Sequence, residues 1–192
     1  QSTRENALFL STAVQLNSEQ LKPVFDWFSK TLRFVGTEGL SPESTARFCT
    51  GSGKEDVLKF LKAADFNIED IRVEEKHLPT EPTYEINTVH TDSNGQTVLF
   101  NFRDESSGTQ KFFSFAEPIL DVLSNGSVLC IDELNVNLHP KLVQFLVELF
   151  HDPKANPKNA QLIFTTHDTT ILTQEIFRRD QIWFCDKNRE QA

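Results

Sequence analysis

The residues best suited to chemistry stand in the stretch SNGSVLCIDELNVNLHP, residues 124–140, where an apolar run from Val128 to Ile131 meets two adjacent carboxylates, Asp132 and Glu133. Neighbouring acids at a strand tip repel each other unless a cation offsets them. A second apolar run, AQLIFTT, carries His167 just past its end. Strand–helix–strand alternation around both runs predicts a parallel sheet with its sites at the carboxyl ends of the strands. The two tips then lie side by side and gather two carboxylates and an imidazole at one edge. That set suits hydrolysis of a nucleotide phosphate. One acid helps to hold a hydrated Mg²⁺, the other orients and deprotonates water, and the imidazole contacts the γ-phosphate. Either feature alone reads as well as a solvated strand end or an ordinary loop histidine; the joint placement favours the hydrolytic reading.

A third element, ESSGTQK at 105–111, precedes the helix that feeds the acid-ended strand. At a helix start, Ser107, Gly108, Thr109 and Gln110 offer a hydroxyl and free backbone N–H groups. Together with the positive end of the helix dipole these form an anion site.

The elements that must position these residues follow from periodicity. Residues 1–35 read as two helices, with Leu8, Phe9, Ala13 and Leu16 on one stripe and Val24, Phe25, Phe28 and Leu32 on the other. Ser18 suits the N-cap of the second. Residues 36–53, rich in Gly, Ser and Thr, read as an exposed loop, followed by a helix from Lys54 to Ala64 that places Val57, Leu58 and Leu61 on one face. IEDIRVEEKHL alternates as a strand does, and YEINTVHTDSNGQTVLFNF reads as a hairpin turning at Asn94-Gly95. Beyond Glu105 the pattern gives a helix over 109–123, a strand over 127–131, a helix over 140–150 and the strand AQLIFTT. A short helix after Asp168 and a third strand, DQIWFCD, complete it. The expected organisation is a helical lobe with a flexible loop over 1–64, a β-hairpin region over 65–104 and an α/β half over 105–192.

Composition bounds the function. The chain has 192 residues, long enough for one compact domain with or without an added lobe, and its 24% charged and 38% hydrophobic residues describe a folded, water-facing protein. No apolar run is long enough to span a bilayer, which argues against a membrane role. Cys49, Cys130 and Cys185 are widely spaced and form no CxxC pattern, which favours a reducing cytoplasmic setting over a disulfide framework or zinc site. A net charge of −9 gives no overall basic footprint for nucleic acid, and the adjacent Arg178 and Arg179 alone do not make one. With no methionine and a start at Gln1, the chain is expected to be a piece of a longer protein.

Taken in order, SSGTQ, VLCIDEL, NVNLHP and FTTHD resemble the signature loop, Walker B strand, D-loop and switch histidine of an ABC-type ATPase nucleotide domain. The likeness is nearer to the SMC-like members grouped as AAA family-fifteen ATPases, which RENALFLSTAVQLN and RRDQIWFCDK also resemble. Residues 36–104 carry no motif of that group. The resemblance implies an α/β fold, a partial ABC-type ATPase domain with parallel strands and flanking helices beside the helical lobe and hairpin. It implies ATP and Mg²⁺ as ligands, Asp132 holding the metal through water, Glu133 as general base and His167 sensing the γ-phosphate. Ser107, Gly108, Thr109 and Gln110 would form the signature that meets the nucleotide of an opposing protomer, with Asn137 and His139 in the D-loop at the same interface. Thr109 stands where the usual signature has its second glycine, and His139 where transporter-type members have Asp; both read as subfamily marks.

An ABC-type site also needs a GxxxxGK[ST] loop to cradle phosphates. The one candidate, FCTGSGKED, has Phe48 at the first glycine position and Glu55 where the motif needs a hydroxyl, and no apolar strand precedes it. The expected P-loop therefore belongs to an amino-terminal part outside this chain, and this chain alone is expected to be inactive. The resemblance implies a dimerising, head-to-tail ATPase associated with phage defence and abortive infection, acting as a sensor or switch on an effector nuclease or toxin. The alternatives are an SMC-like DNA-handling ATPase, against which the acidic balance weighs, and a non-catalytic assembly module, which has no need of Glu133 or His167.

Overall fold

A computed structural model describes residues 8–36, 40–77 and 82–186. In chain order the elements are α1 (Phe9–Gln15), α2 (Lys22–Lys30), β1 (Leu32–Val35), α3 (Pro42–Thr50), α4 (Lys54–Ala63), β2 (Asp70–His77), β3 (Pro82–Thr91), β4 (Thr97–Asn101), α5 (Ser107–Asn125), β5 (Val128–Ile131), α6 (Pro140–His151) and β6 (Gln161–Phe164). They form two three-stranded sheets, one in the order β1-β5-β6 and one in the order β2-β3-β4. The first is parallel throughout, with Leu32 opposite Val128 and Val128 opposite Gln161. The second is antiparallel, and its β3–β4 hairpin turns where expected, with Gly95 at a φ of 78° and the Asp92 carboxylate accepting from the Asn94 and Gln96 N–H groups. The α/β class with parallel strands, flanking helices and a hairpin is thus the observed one.

Helix α5 is the axis of the core. Phe112, Phe113 and Phe115 are fully buried along it, and the Phe112 ring stacks on Phe60 of α4 at 4.7 Å between centroids. Phe113 packs against Phe102 at 4.8 Å, joining the antiparallel sheet to the same core. The helix ends at Gly126, whose φ of 70° is the left-handed C-cap that glycine adopts without steric cost; its N–H donates to the Val122 carbonyl. Two residues later β5 begins. On the α6 side, the buried Asn156 side chain bonds the carbonyls of Phe150 and Ala160 and accepts from the Ala160 N–H. These bonds turn the chain from α6 into β6 and so fix where the His167 strand starts.

The structure corrects several expectations, the first of them on the second helix. Leu32 does not close the second helix: α2 ends at Lys30 and Leu32 opens β1. A short apolar run fits helical and strand periods alike, and here the parallel partner β5 decides. Arg33 of β1 bonds Glu117 at 2.7 Å and Asp121 at 3.1 Å on α5. Burial works against the Arg33 charge, yet the two carboxylates outweigh it and raise its pKa above the usual guanidinium value. Nor does Ser18 cap α2, because that helix starts later, after Leu21. The part of the first helical reading that falls on residues 1–7 lies outside the described residues.

The second correction concerns the segment read as an exposed loop. Its residues 42–50 form α3, with Ser41 as N-cap accepting from the Glu43 N–H and Pro42 at the first helical turn. Of the rest of that segment, 37–39 lie outside the described residues. Thr45, Ala46 and Cys49 are buried against α5. The reason is specific. Pro118 sits inside α5 and has no N–H, and one residue before it the Thr45 hydroxyl enters the helix. Thr45 Oγ1 donates to the Phe113 carbonyl at 3.0 Å and accepts from the Glu117 N–H at 3.2 Å, a pair that an unbroken helix joins directly. Thr45→Val keeps the shape and removes both bonds. We expect it to cost about 1–3 kcal/mol of unfolding free energy, the penalty for orphaned buried backbone groups, as measured by urea titration. An unchanged midpoint would show that α5 closes its own ladder without Thr45.

Third, the helix and strand expected after Asp168 do not form among the described residues. Residues 179–181 make a single 3₁₀ turn, and Trp183 and Phe184 are 87% and 85% exposed, with no strand pairing with them. An apolar run becomes a strand only when a neighbour supplies hydrogen bonds for its backbone. No helix among the described residues is long and apolar enough to cross a membrane.

Candidate active site

The acid-ended strand and the histidine-ended strand are neighbours, as expected. Cys130 of β5 is opposite Ile163 of β6, and Ile131 opposite Phe164. Beyond Ile131 the chain makes a tight turn over 132–138, pinned by the buried Leu134 and Leu138. The Asp132 N–H donates to the Val35 carbonyl of β1 at 3.3 Å, which extends the ladder on one side. On the other, the Thr165 N–H donates to the Ile131 carbonyl at 3.0 Å. Asp132, Glu133 and His167 are all exposed.

Glu133 has a φ of 52°, in the left-handed region that costs an L-residue other than Gly or Asn about 1–2 kcal/mol. Surrounding bonds hold it there. Its N–H donates to Thr165 Oγ1 at 2.8 Å, its carbonyl accepts from the Val136 N–H at 3.1 Å, and the following Leu134 N–H donates to the Thr165 carbonyl at 3.1 Å. The same Thr165 hydroxyl lies 2.6 Å from Asp132 Oδ1. Strained backbone held by its surroundings is found at sites where a side chain must be aimed.

His167 is reached through Asn135. The Asn135 side-chain nitrogen lies 3.0 Å from His167 Nε2, and its side-chain oxygen accepts from the Thr166 hydroxyl at 2.9 Å. Thr166 in turn accepts from the Asp168 N–H at 3.0 Å. The Thr170 hydroxyl and N–H both donate to the Asp168 carboxylate and hold it below the usual Asp range. Two threonines of β6's extension thus tie the loop after β5 to the loop after β6.

The start of α5 is placed differently from the sequence expectation. Its N-cap is Ser106, whose Oγ accepts from the Thr109 N–H at 3.0 Å and lies 2.7 Å from the Thr109 hydroxyl. Thr109 is buried and its polar groups are engaged. The Gln110 side-chain amide turns back to donate to the carbonyls of Glu105 and Arg103. Ser107 is exposed and Gly108 half-buried at the helix end. A Cβ at Gly108 would lie 3.5 Å from the Asn137 carbonyl, so the turn after β5 abuts the helix start in the same chain. Asn137 itself has a φ of 61° and is exposed, and His139 caps α6 by accepting from the Lys141 N–H at 3.2 Å. The structure therefore brings Asp132, Glu133 and His167 to one edge and sets Gly108 beside Asn137. Gln110 and Thr109 face their own helix start.

Among the described residues no cluster of three or more His, Cys, Asp or Glu could hold a metal with protein ligands alone. Asp132, a hard oxygen donor in the open, fits Mg²⁺, which keeps several waters and takes one or two carboxylates plus phosphate oxygens.

Against this geometry, the family model described as "AAA domain, putative AbiEii toxin, Type IV TA system" matches residues 12–173. The chain belongs to this AAA family. The match runs from α1 past His167, so it takes in both sheets and both strand tips. The AAA domain described above is accordingly of the ATP-binding ATPase type. No curated protein matches the chain.

Sequence reasoning missed Thr165 and Asn135. The signal was present in FTTHD, where two hydroxyls precede the histidine at the end of a strand adjacent to the acids. What the sequence lacks is the register, which decides whether Thr165 or Thr166 points at Asp132.

Proposed function

We propose that this AAA domain supplies the hydrolytic half of an ATP site in a dimerising ABC/SMC-like ATPase. The observation that carries the reading is the pairing of β5 with β6, which sets a threonine-bridged acid pair beside His167 within an AAA-family chain. Asp132 is the residue that would hold hydrated Mg²⁺, which when bound neutralises charge on the phosphate oxygens. Glu133 accepts the proton of the attacking water, and His167 donates a ring N–H to a γ-phosphate oxygen. Ser107 and Gly108, with the N–H groups at the free end of α5, face the nucleotide of a second copy, and Asn137 and His139 lie at that same interface.

The phosphate cradle is assigned to a segment outside this chain, in an amino-terminal P-loop-bearing part. The Gly51–Gly53 turn joins two helices, α3 and α4, whereas a P-loop joins a strand to a helix. Lys54 is moreover engaged by Asp70 at 2.7 Å. Burial raises the Asp70 carboxyl, but the Lys54 bond and the Ile71 N–H prevail and hold it below the usual range. In keeping with the family's toxin and toxin–antitoxin description, the whole ATPase acts as a switch in phage defence whose nucleotide state governs an effector nuclease or toxin.

Titration calorimetry of Mg-ATP into the chain alone tests the half-site. We expect no heat beyond dilution at millimolar nucleotide, equivalent to a Kd weaker than about 1 mM or a binding free energy smaller than about 4 kcal/mol. Micromolar binding would overturn the assignment of the cradle to another segment.

A further inference from the structure

We infer that Thr165 is a positioning residue that locks Asp132 and Glu133 to each other through one hydroxyl. The inference rests on the hydrolytic reading of that acid pair. A threonine hydroxyl has one proton to give and lone pairs to accept with. Its distance of 2.6 Å from Asp132 Oδ1 commits the proton to that carboxylate, because an ionised carboxylate only accepts. The Glu133 N–H, 2.8 Å away, then donates to the oxygen. The chain of donors runs one way, from the Glu133 backbone through Thr165 to the Asp132 side chain, and each bond polarises the next.

The hydroxyl is itself fixed. The backbone of Thr165 is held at both ends, its N–H by the Ile131 carbonyl and its carbonyl by the Leu134 N–H. A β-branched side chain has few χ1 choices, so a held backbone leaves little freedom to Oγ1. The Glu133 backbone, at a φ of 52°, gains its one side-chain acceptor from this residue. Remove that acceptor and the left-handed residue can relax, which re-aims the Glu133 carboxylate. The same change frees Asp132 to rotate. One group therefore sets the separation and the direction of both acids, and neither acid supplies that itself. Among bonds between side chains and this acid pair, those to Thr165 join it to the neighbouring strand, which also carries His167.

The test uses Thr165→Val, which keeps the branched shape, and Thr165→Ser, which keeps the hydroxyl. Amide hydrogen exchange on the folded chain is the first readout and needs no nucleotide. We expect the Glu133 amide to exchange at least about tenfold faster in T165V and at close to the wild-type rate in T165S, with amides of the α5 core unchanged. The second readout is steady-state ATP hydrolysis by the intact ATPase. Here kcat should fall about 10- to 100-fold in T165V, with KM for ATP within about twofold and T165S near wild type, the range usual for lost outer-shell partners. Unchanged Glu133 exchange in T165V, wild-type kcat in T165V, or a T165S as impaired as T165V would each overturn the positioning role. Failure of the underlying reading looks different: Glu133→Gln would then hydrolyse ATP at the wild-type rate, whereas a dead E133Q beside a fully active T165V removes the Thr165 inference alone.

Discussion

Glu133→Gln should lower kcat for ATP hydrolysis in the intact ATPase by about 10²- to 10⁴-fold while leaving ATP binding in place. At about 1.4 kcal/mol per decade this is roughly 3–5 kcal/mol of transition-state stabilisation. The substitution keeps size and polarity but removes the carboxylate proposed to take a proton from water. The bond to the Thr165 hydroxyl is made by the Glu133 backbone N–H and not by its side chain, so it survives and the loop should hold its form. Because the proposed site closes only between two copies, blocked hydrolysis should also accumulate an ATP-bound dimer, seen as a shift in size-exclusion light scattering on addition of Mg-ATP. Undiminished turnover in E133Q would remove the general-base assignment. Loss of turnover together with loss of ATP binding would instead make Glu133 a structural or binding residue. His167 offers a contrast, because its tie to Asn135 is made by the side chain itself, so changing it alters the network as well as the proposed contact with phosphate.

The second large effect is on stability. Phe112→Ala should cost about 3–5 kcal/mol of unfolding free energy, with about 0.5–1.5 kcal/mol of that attributable to ring stacking. Phe112 is fully buried and lies within 4.7 Å of the Phe60 ring, 5.0 Å of Phe66 and 6.0 Å of Phe145. Those partners come from α4, the segment after it and α6, so one ring joins three parts of the chain to α5. Domains of this size have a total stability of about 5–15 kcal/mol, so the loss is a large share of it. At about 2–4 °C per kcal/mol for a chain of 150–250 residues, the midpoint should fall by roughly 6–20 °C. Urea and thermal unfolding measure both figures. A loss below about 1 kcal/mol would mean that the α5 core collapses around the vacancy, and that Phe113 and Phe115 carry the packing instead.

The same two regions show how much of the molecule can be read from its residues in order. The parallel pair that carries the candidate site is legible in residue order, because two apolar runs separated by an amphipathic helix leave a strand few choices but to lie beside its successor. From that pairing the approach of Asp132, Glu133 and His167 follows, since parallel neighbours end on the same side. The turn at Asn94-Gly95 was equally legible, because few residue pairs accept its backbone angles. All of these are short-range or nearest-neighbour consequences.

Other features depend on partners distant in the chain. Residues 42–50 are a helix rather than an exposed loop because Thr45 is drawn into α5 beside Pro118, 68 and 72 positions away from the groups it bonds. Leu32 opens a strand because β5, almost a hundred residues on, offers it an edge. The apolar run within 180–186, expected as a strand, forms none, because no edge among the described residues receives it. At the site, residue types indicated which groups could react, but register decided which threonine reaches them. Thr165 and Thr166 are adjacent and alike, yet one bonds the acid pair and the other Asn135, because successive side chains of an extended chain point to opposite sides. Local pattern fixes periods and turns; the hydrogen bond that aims a carboxylate is settled only when two strands meet in one register.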